Sequence, residues 1–162
     1  FDEIDSSTGS LGQGLSVATG YALGQQIKNS KRKVFCIIGD GELQEGQIWE
    51  ALLFISFNKI LNLVILIDSN KFQNENSVKK TLHLGNLKSK FKSFGFDVYD
   101  IDGHDFKEIS KVFKISKEAK RPVVIILNTI KGKGVSFMEN DNAWHSKKIN
   151  ESEYRNAIKE LR

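Results

Sequence analysis

The sequence is poor in the features that mark secreted or membrane-bound chains. It contains a single cysteine, Cys36, so no internal disulfide can form, and this usage predicts a reducing, cytoplasmic location. No apolar run approaches the roughly 20 residues needed to span a bilayer. The first five residues, FDEID, are acidic where a secretory signal would be basic. We therefore predict neither a membrane protein nor a disulfide-stabilised secreted domain.

Proline occurs once, and neither an internal repeat nor a low-complexity linker is present, so the chain predicts one domain over residues 1–162. The composition, 40% hydrophobic and 27% charged, is that of a globular protein. The net charge is +4, but the lysines are scattered along the chain. Nucleic-acid binding would require basic residues on one face with interleaved aromatics, so we predict no nucleic-acid partner. Several lysines are interpreted as solvated, with at most a general attraction for phosphorylated substrates: Lys79, Lys80, Lys88, Lys90 and Lys92.

Short apolar runs alternate with helical patterns along the chain. Runs rich in β-branched residues predict strands at residues 34–38, 63–67, 97–101 and 122–129. Between the first two, apolar residues recur with helical spacing at Ile48, Ala51, Leu52 and Ile55. The alternation predicts an α/β fold, a parallel sheet with helices on both faces and right-handed crossovers.

Further helices are predicted before, between and after these strands. One includes Leu15, Ala18, Ala22 and Leu23 after a glycine-rich start, and another includes Leu84, Leu87, Phe91 and Phe94. Asp105 and Glu108 have the spacing of a capping box, as do Asn150 and Glu153. The buried side of the helix after Asp105 is assigned to Phe106, Ile109 and Phe113.

Polar clusters follow the first two strands, Gly39 to Glu42 and Asp68 to Lys71. Because ligands in such folds bind beyond the carboxyl ends of the strands, both clusters should lie at one edge of the sheet. We expect the glycines beside Asp40 to allow a tight turn, and the following helix to direct free N–H groups at a phosphate. A carboxylate beside a phosphate requires a cation, and Asp40 with the oxygen of Asn70 suits Mg²⁺.

Gly-Asp-Gly alone is more often an ordinary turn, but the distance to Asn70, 70 − 40 = 30 residues, fits one helix and one strand. Four separated motifs then resemble the transketolase family, in the same order along residues 8–145. They are TGSLGQGL at 8–15, GDGELQEGQIWEA at 39–51, DGHD at 102–105, and KGKGV at 131–135 followed by Trp144-His145. The resemblance implies the thiamine-diphosphate-binding fold of that family.

The resemblance also implies the roles of individual residues. Asp40, the side-chain oxygen of Asn70 and the backbone carbonyl of Phe72 are expected to bind Mg²⁺, for which Ca²⁺ or Mn²⁺ could substitute. The cofactor thiamine diphosphate is expected to contact Gly9, Ser10, Leu11, Gly41, Asn70, Lys131 and His145. His145 is also expected to contact the substrate and to be catalytic, whereas an isolated histidine near a chain end is more often an ordinary surface residue.

Other residues are given structural interpretations. Glu45 matches a family carboxylate at a subunit interface, but an acid favoured by the helix dipole is an equal alternative. His104 is interpreted as stabilising its loop, and His83 as structural. Gly12, like Gly9, would leave room for the cofactor. Trp49 and Ala51 are interpreted as core or interface packing.

The reaction implied is transfer of a two-carbon ketol unit from a ketose phosphate to an aldose phosphate. The family's cofactor-activating glutamate belongs to a pyrimidine-binding domain, which this chain is expected to lack. A separate carboxyl-terminal transketolase subunit would supply that domain, giving a dimer of such pairs. We also expect the chain, which starts at Phe1 without methionine, to be shortened at its start.

Two alternatives stay open. A 1-deoxyxylulose-phosphate synthase or the alpha subunit of a 2-oxo acid dehydrogenase would also carry Gly-Asp-Gly, although the residues after it favour transketolase. The chain could instead be a non-catalytic, truncated scaffold that only pairs with a partner.

Overall fold

A computed structural model of the protein describes residues 4–74 and 76–162. Within these residues helices and strands alternate. In chain order they are α1 (Gln13–Ile27), β1 (Val34–Gly39), a 3-10 turn (Glu42–Gln44), α2 (Gly46–Phe57), β2 (Leu63–Ser69), α3 (Val78–Thr81), α4 (Leu87–Ser93), β3 (Asp97–Asp102), α5 (Phe106–Lys117), β4 (Val123–Asn128), a second 3-10 turn (Asn142–His145) and α6 (Glu151–Glu160).

The four strands form one parallel sheet in the order β1-β2-β4-β3. Gly39 pairs with Asp68, and Ser69 pairs with Asn128, so the carboxyl ends of three strands are aligned at one edge. This confirms the predicted parallel sheet. Each strand lies within two residues of its predicted bounds, and Pro122 stands just before β4, where its missing N–H removes no ladder hydrogen bond.

Helices cover both faces of the sheet, as predicted. Along β2, Ile65 and Ile67 face one side and join a core that includes residues of α1, α2 and α4. Val64 and Leu66 face the other side and pack with Val112 of α5. All four are at most 4% exposed, and full burial of such a side chain contributes about 1.5–3 kcal/mol. The continuous apolar run of β2 thus reflects burial on both faces.

Helix α2 confirms its predicted apolar stripe, since Ile48, Ala51, Leu52 and Ile55 are all buried. Trp49 stacks on Phe91 of α4 with ring centroids 5.9 Å apart, which fits the predicted packing role. The helix predicted from Leu84 is shorter than expected, because the Asn86 side chain accepts a hydrogen bond from Ser89 N–H and α4 begins only at Leu87. The sequence patterns do not predict helix α3, which is a single turn.

Helix α5 differs from its prediction in two ways. Phe106 is 84% exposed and Ile109 and Phe113 are only half-buried, whereas the fully buried residues of the helix are Val112 and Ser116. Asp105 does cap the helix, but the carboxylate of Glu108 accepts from Asp102 N–H, so no capping box forms.

At the chain's other end, Asn150 and Glu153 do form the predicted capping box of α6. The lysines interpreted as solvated are exposed in the structure: Lys79, Lys80, Lys88, Lys90 and Lys92. Among the described residues, the helices are too short or too polar to cross a membrane.

Candidate functional site

The loops after β1 and β2 meet at the carboxyl edge of the sheet, as the sequence predicts. Asp40 N–H donates to the carbonyl of Asp68 at 3.0 Å. In the reverse direction, the backbone N–H of Lys71 donates to Oδ2 of Asp40 at 2.8 Å. Since Lys71 follows Asn70 directly, these bonds hold the two polar clusters side by side.

Asp40 is a buried carboxylate, only 3% exposed. Burial raises the pKa of this carboxyl, and the nearby Asp68 raises it further. The N–H groups of Lys71 and Gly41 and the Lys71 ammonium oppose the increase without cancelling it. A buried acid that is disfavoured as an anion is a suitable place for a cation.

Asn70 offers a neutral amide beside Asp40. Asn70 Oδ1 accepts from Phe72 N–H at 2.9 Å, and Asn70 Nδ2 donates to Asp68 Oδ2 at 3.3 Å. These bonds orient the amide, while its carbonyl oxygen keeps a second lone pair. The described residues contain no cluster of three His, Cys, Asp or Glu side chains that could hold a metal. A cation here would therefore rely on one carboxylate, neutral carbonyls and ligand oxygens, a set that suits Mg²⁺.

The turn around Asp40 differs from its prediction. Gly41 has φ −66°, a conformation open to any residue, so glycine is not needed there for a left-handed turn. The segment that follows Asp40 and Gly41 directly is a 3-10 turn, and α2 begins only at Gly46. The predicted helix start therefore does not lie immediately after Asp40. What Gly41 provides is close approach, because an added Cβ would lie 2.8 Å from the Gln73 side chain.

Glu42 holds the site together in a way that sequence reasoning missed. Its Oε1 accepts from Gly12 N–H at 2.8 Å and its Oε2 accepts from Gly39 N–H at 3.1 Å. One carboxylate thus clamps the start of α1 to the end of β1. Glu42 and Gly12 are 30 residues apart in the chain. The available signal in the sequence was an acid two residues after Asp40 with no assigned role. Glu45, by contrast, stands at the N-cap of α2 without a side-chain cap bond.

Replacing Glu42 with alanine is expected to lower the free energy of unfolding by about 2–3 kcal/mol, because two partly buried N–H groups lose a charged acceptor. Glu45→Ala removes the same charge nearby and should change stability by less than about 0.5 kcal/mol. Urea titrations of both variants measure the difference. Equal stability of the two variants would contradict the proposed clamp.

The residues expected along the cofactor, Gly9, Ser10 and Leu11, are exposed and lie beside this clamp. Gln47 Nε2 of α2 donates to the carbonyl of Leu11 at 2.9 Å, which holds residues 9–11 next to the start of α2. Gly12 is buried and left-handed, with φ 84°, and begins α1. Nothing lies within 4 Å of a Cβ added at Gly9, so its need for glycine stays a prediction about a bound cofactor.

The loop after β4 carries Lys131 toward the same edge. Thr129 Oγ1 donates to Asp68 Oδ1, and Ile130 N–H donates to Nε2 of His104 at 2.8 Å. The second bond agrees with the loop-stabilising role predicted for His104. Lys131 itself is half-buried, and its carbonyl accepts from Asn140 N–H at 2.9 Å.

His145 ends the second 3-10 turn and is exposed. The turn is joined to the loop after β2, since Asn142 Nδ2 donates to the carbonyl of Asn74 at 3.1 Å. Among the described residues, neither the Lys131 nor the His145 side chain hydrogen-bonds to Asp40 or Asn70. Their contact with a ligand therefore stays a prediction.

A cavity of about 530 Å³ lies next to Asp40, between the sheet edge and residues 77–88. Its lining includes Lys71, Asn128, Asp100 and His83. His83, interpreted as structural from the sequence, is exposed and forms part of this wall. The edge of the sheet thus offers a buried carboxylate, neutral oxygens and an open volume together.

Comparisons with known proteins agree with this geometry. The family described as "Transketolase, thiamine diphosphate binding domain" matches residues 1–161. The 6-deoxy-6-sulfo-D-fructose transketolase subunit of a Clostridium species is 43% identical over 98% of this chain. A subunit of the apulose-4-phosphate transketolase from Actinobacillus succinogenes is 38% identical over 98%. This chain spans 58% of the length of each of these two relatives.

The crystal structure of transketolase from Campylobacter jejuni superposes on 95% of this chain with a TM-score of 0.88 and 33% identity, and the chain covers 25% of that protein. The family match, over residues 1–161, contains all four sequence motifs. The chain therefore belongs to the transketolase family, in which it corresponds to the thiamine-diphosphate-binding domain.

Proposed function

We propose that this chain is the amino-terminal subunit of a split transketolase. It would bind magnesium and thiamine diphosphate, and with a partner it would transfer a two-carbon ketol unit from a ketose phosphate to an aldose phosphate. The observation that carries the proposal is the buried Asp40 carboxylate, held beside Asn70 by the Lys71 N–H. Such a carboxylate needs a cation to be stable as an anion.

In the proposed site, Asp40, the Asn70 side-chain oxygen and the Phe72 carbonyl hold Mg²⁺. The bonds of Asn70 to Phe72 and Asp68 support this, because they orient the amide before a metal arrives. Ca²⁺ or Mn²⁺, which also take oxygen ligands, could replace Mg²⁺.

The diphosphate would be bound by Gly41 N–H, Lys131 and His145, with Gly9, Ser10 and Leu11 along the cofactor. Lys131 would contribute a point positive charge, and His145 would donate a hydrogen bond to diphosphate and substrate. When bound, thiamine diphosphate supplies the electron sink for carbon–carbon cleavage, while the protein contributes position and electrostatics.

The partner would be a carboxyl-terminal subunit with the pyrimidine-binding domain, and two such pairs would form a dimer. The family match over residues 1–161 supports a single domain over residues 1–162. The names of the relatives from Clostridium and Actinobacillus support a partner, since both are named as subunits. A cytoplasmic location fits Cys36, which is free and buried.

The test is donor turnover by this chain alone, by a candidate partner alone and by both, each with magnesium, thiamine diphosphate and an aldose phosphate as acceptor. We expect xylulose 5-phosphate to be consumed only by the mixture, and pyruvate not to be consumed. 6-Deoxy-6-sulfofructose serves as a second donor, since a relative is named for it. Pyruvate turnover would support another thiamine-diphosphate enzyme. Absence of calorimetric heat with cofactor and partner would support a non-catalytic scaffold.

A further inference from the structure

Lys71, in the loop after β2 between the proposed metal ligands Asn70 and Phe72, has an unusual backbone conformation. Its φ is 72°, in the left-handed region that residues with a Cβ rarely adopt. Its backbone N–H donates to Asp40 Oδ2 at 2.8 Å. Strained residues persist where surrounding contacts hold them, and they occur often at functional sites.

The side chain of Lys71 is held by the ends of two strands. Its Nζ donates to Ser69 Oγ at 2.6 Å and to Asn128 Oδ1 at 3.1 Å. Asn128 is oriented in turn, because its Nδ2 donates to Asp100 Oδ1 at 2.7 Å and to the Ile101 carbonyl at 3.1 Å. A continuous series of bonds therefore runs from β3 through β4 to the Asp40 carboxylate.

We propose that Lys71 and Asn128 are positioning residues for the magnesium site, an inference that rests on the proposed function. The bonds to the ammonium hold the backbone of Lys71 left-handed, so that its N–H binds one oxygen of Asp40. The carboxylate is thereby held in one orientation, in which it can bind the cation. Lys71 acts through its backbone geometry, with its ammonium as the anchor, and not as a ligand of the diphosphate.

Glycine and alanine at position 71 separate this proposal from a direct electrostatic role. Both Lys71→Ala and Lys71→Gly remove the ammonium, but only glycine adopts a positive φ without strain. The magnesium dissociation constant, measured by calorimetry at saturating thiamine diphosphate, should rise about tenfold for Lys71→Ala and for Asn128→Ala, as for other residues that orient metal ligands. For Lys71→Gly it should rise less than about threefold. Lys88→Ala, which removes a lysine from the same cavity, should leave the constant unchanged.

Hydrogen exchange of the residue-71 amide provides a readout without cofactor. In the metal-free protein, this N–H should exchange about tenfold faster in Asn128→Ala and Lys71→Ala than in the parent, because its bond to a charged acceptor is weakened. Exchange in Lys71→Gly, corrected for the intrinsic glycine rate, should stay close to that of the parent. Thermal unfolding of each variant shows whether a change is local, since a general loss of stability would accelerate the core amides as well.

Equal effects of glycine and alanine on the magnesium constant would overturn the proposal and assign Lys71 a direct role of its charge. Unchanged exchange at residue 71 in Asn128→Ala would also overturn it. If the parent protein binds no magnesium with thiamine diphosphate even when the partner subunit is present, the proposed function fails. The exchange measurements then still decide whether Asn128 and the lysine side chain hold the Asp40 bond.

Discussion

Replacing Asp40 with asparagine is expected to abolish magnesium-dependent cofactor binding while stabilising the free protein. The variant loses the one carboxylate of the proposed site, so the affinity for magnesium should fall by more than about 100-fold, since even groups that only orient ligands are worth about 10- to 100-fold. Asparagine keeps an oxygen that can accept from Lys71 N–H. It also removes a buried charge that the folded chain disfavours.

The stabilisation should depend on pH in a defined direction. Because burial raises the pKa of Asp40 above its ordinary value of 3.8, the folded state favours the protonated acid. The contribution of Asp40 to stability is therefore complete below that value and is lost as the pH rises through the folded pKa. The stability of Asp40→Asn relative to the parent should increase over the same interval and be largest at neutral pH.

Thermal unfolding of both proteins without metal, from pH 4 to pH 7.5, measures this effect, and calorimetry with magnesium and thiamine diphosphate measures binding. Asp97→Asn is the matched control, because Asp97 lies at the amino end of β3, the opposite edge of the sheet. It should leave cofactor binding unchanged. A parent protein that is more stable than Asp40→Asn at neutral pH would contradict the assignment of Asp40 as a disfavoured anion.

The sheet could be predicted because its signal is local and its physics is general. The β2 run is apolar at every one of its first five positions, which is typical of a strand covered on both faces. The spacing of 30 residues between Asp40 and Asn70 fits one crossover unit, and parallel pairing then brings both to one edge. Thus the contact between the two loops followed from topology.

Features that depend on contacts between elements could not be predicted in this way. The periodicity that assigned Phe106 to the core is shifted round the helix, because the buried positions of α5 are Val112 and Ser116. Glu42 illustrates the same limit, because its two partners are backbone N–H groups of glycines. Backbone donors carry no signature in the sequence, so such a clamp becomes visible only in the folded structure.

Gly132→Ala is expected to disrupt the loop that carries Lys131 and to lower the free energy of unfolding by about 2–4 kcal/mol. Gly132 has φ 74°, and a Cβ there would lie 2.5 Å from the carbonyl carbon of Met138. The left-handed conformation alone costs an alanine about 1–2 kcal/mol. The contact adds to this cost, because the obstacle is backbone and cannot rotate away as a side chain would. The loop must therefore move, and Lys131 with it.

Gly24→Ala is the matched control, with an opposite expected sign. Gly24 lies within α1, nothing stands within 4 Å of its added Cβ, and alanine should stabilise the helix by about 0.5–1 kcal/mol. Urea unfolding of both variants measures the pair, and calorimetry with the cofactor reports whether displacement of Lys131 weakens binding. If Gly132→Ala unfolds at the same urea concentration as the parent, the loop tolerates a side chain there. The close approach of residues 132 and 138 would then not be what fixes the position of Lys131.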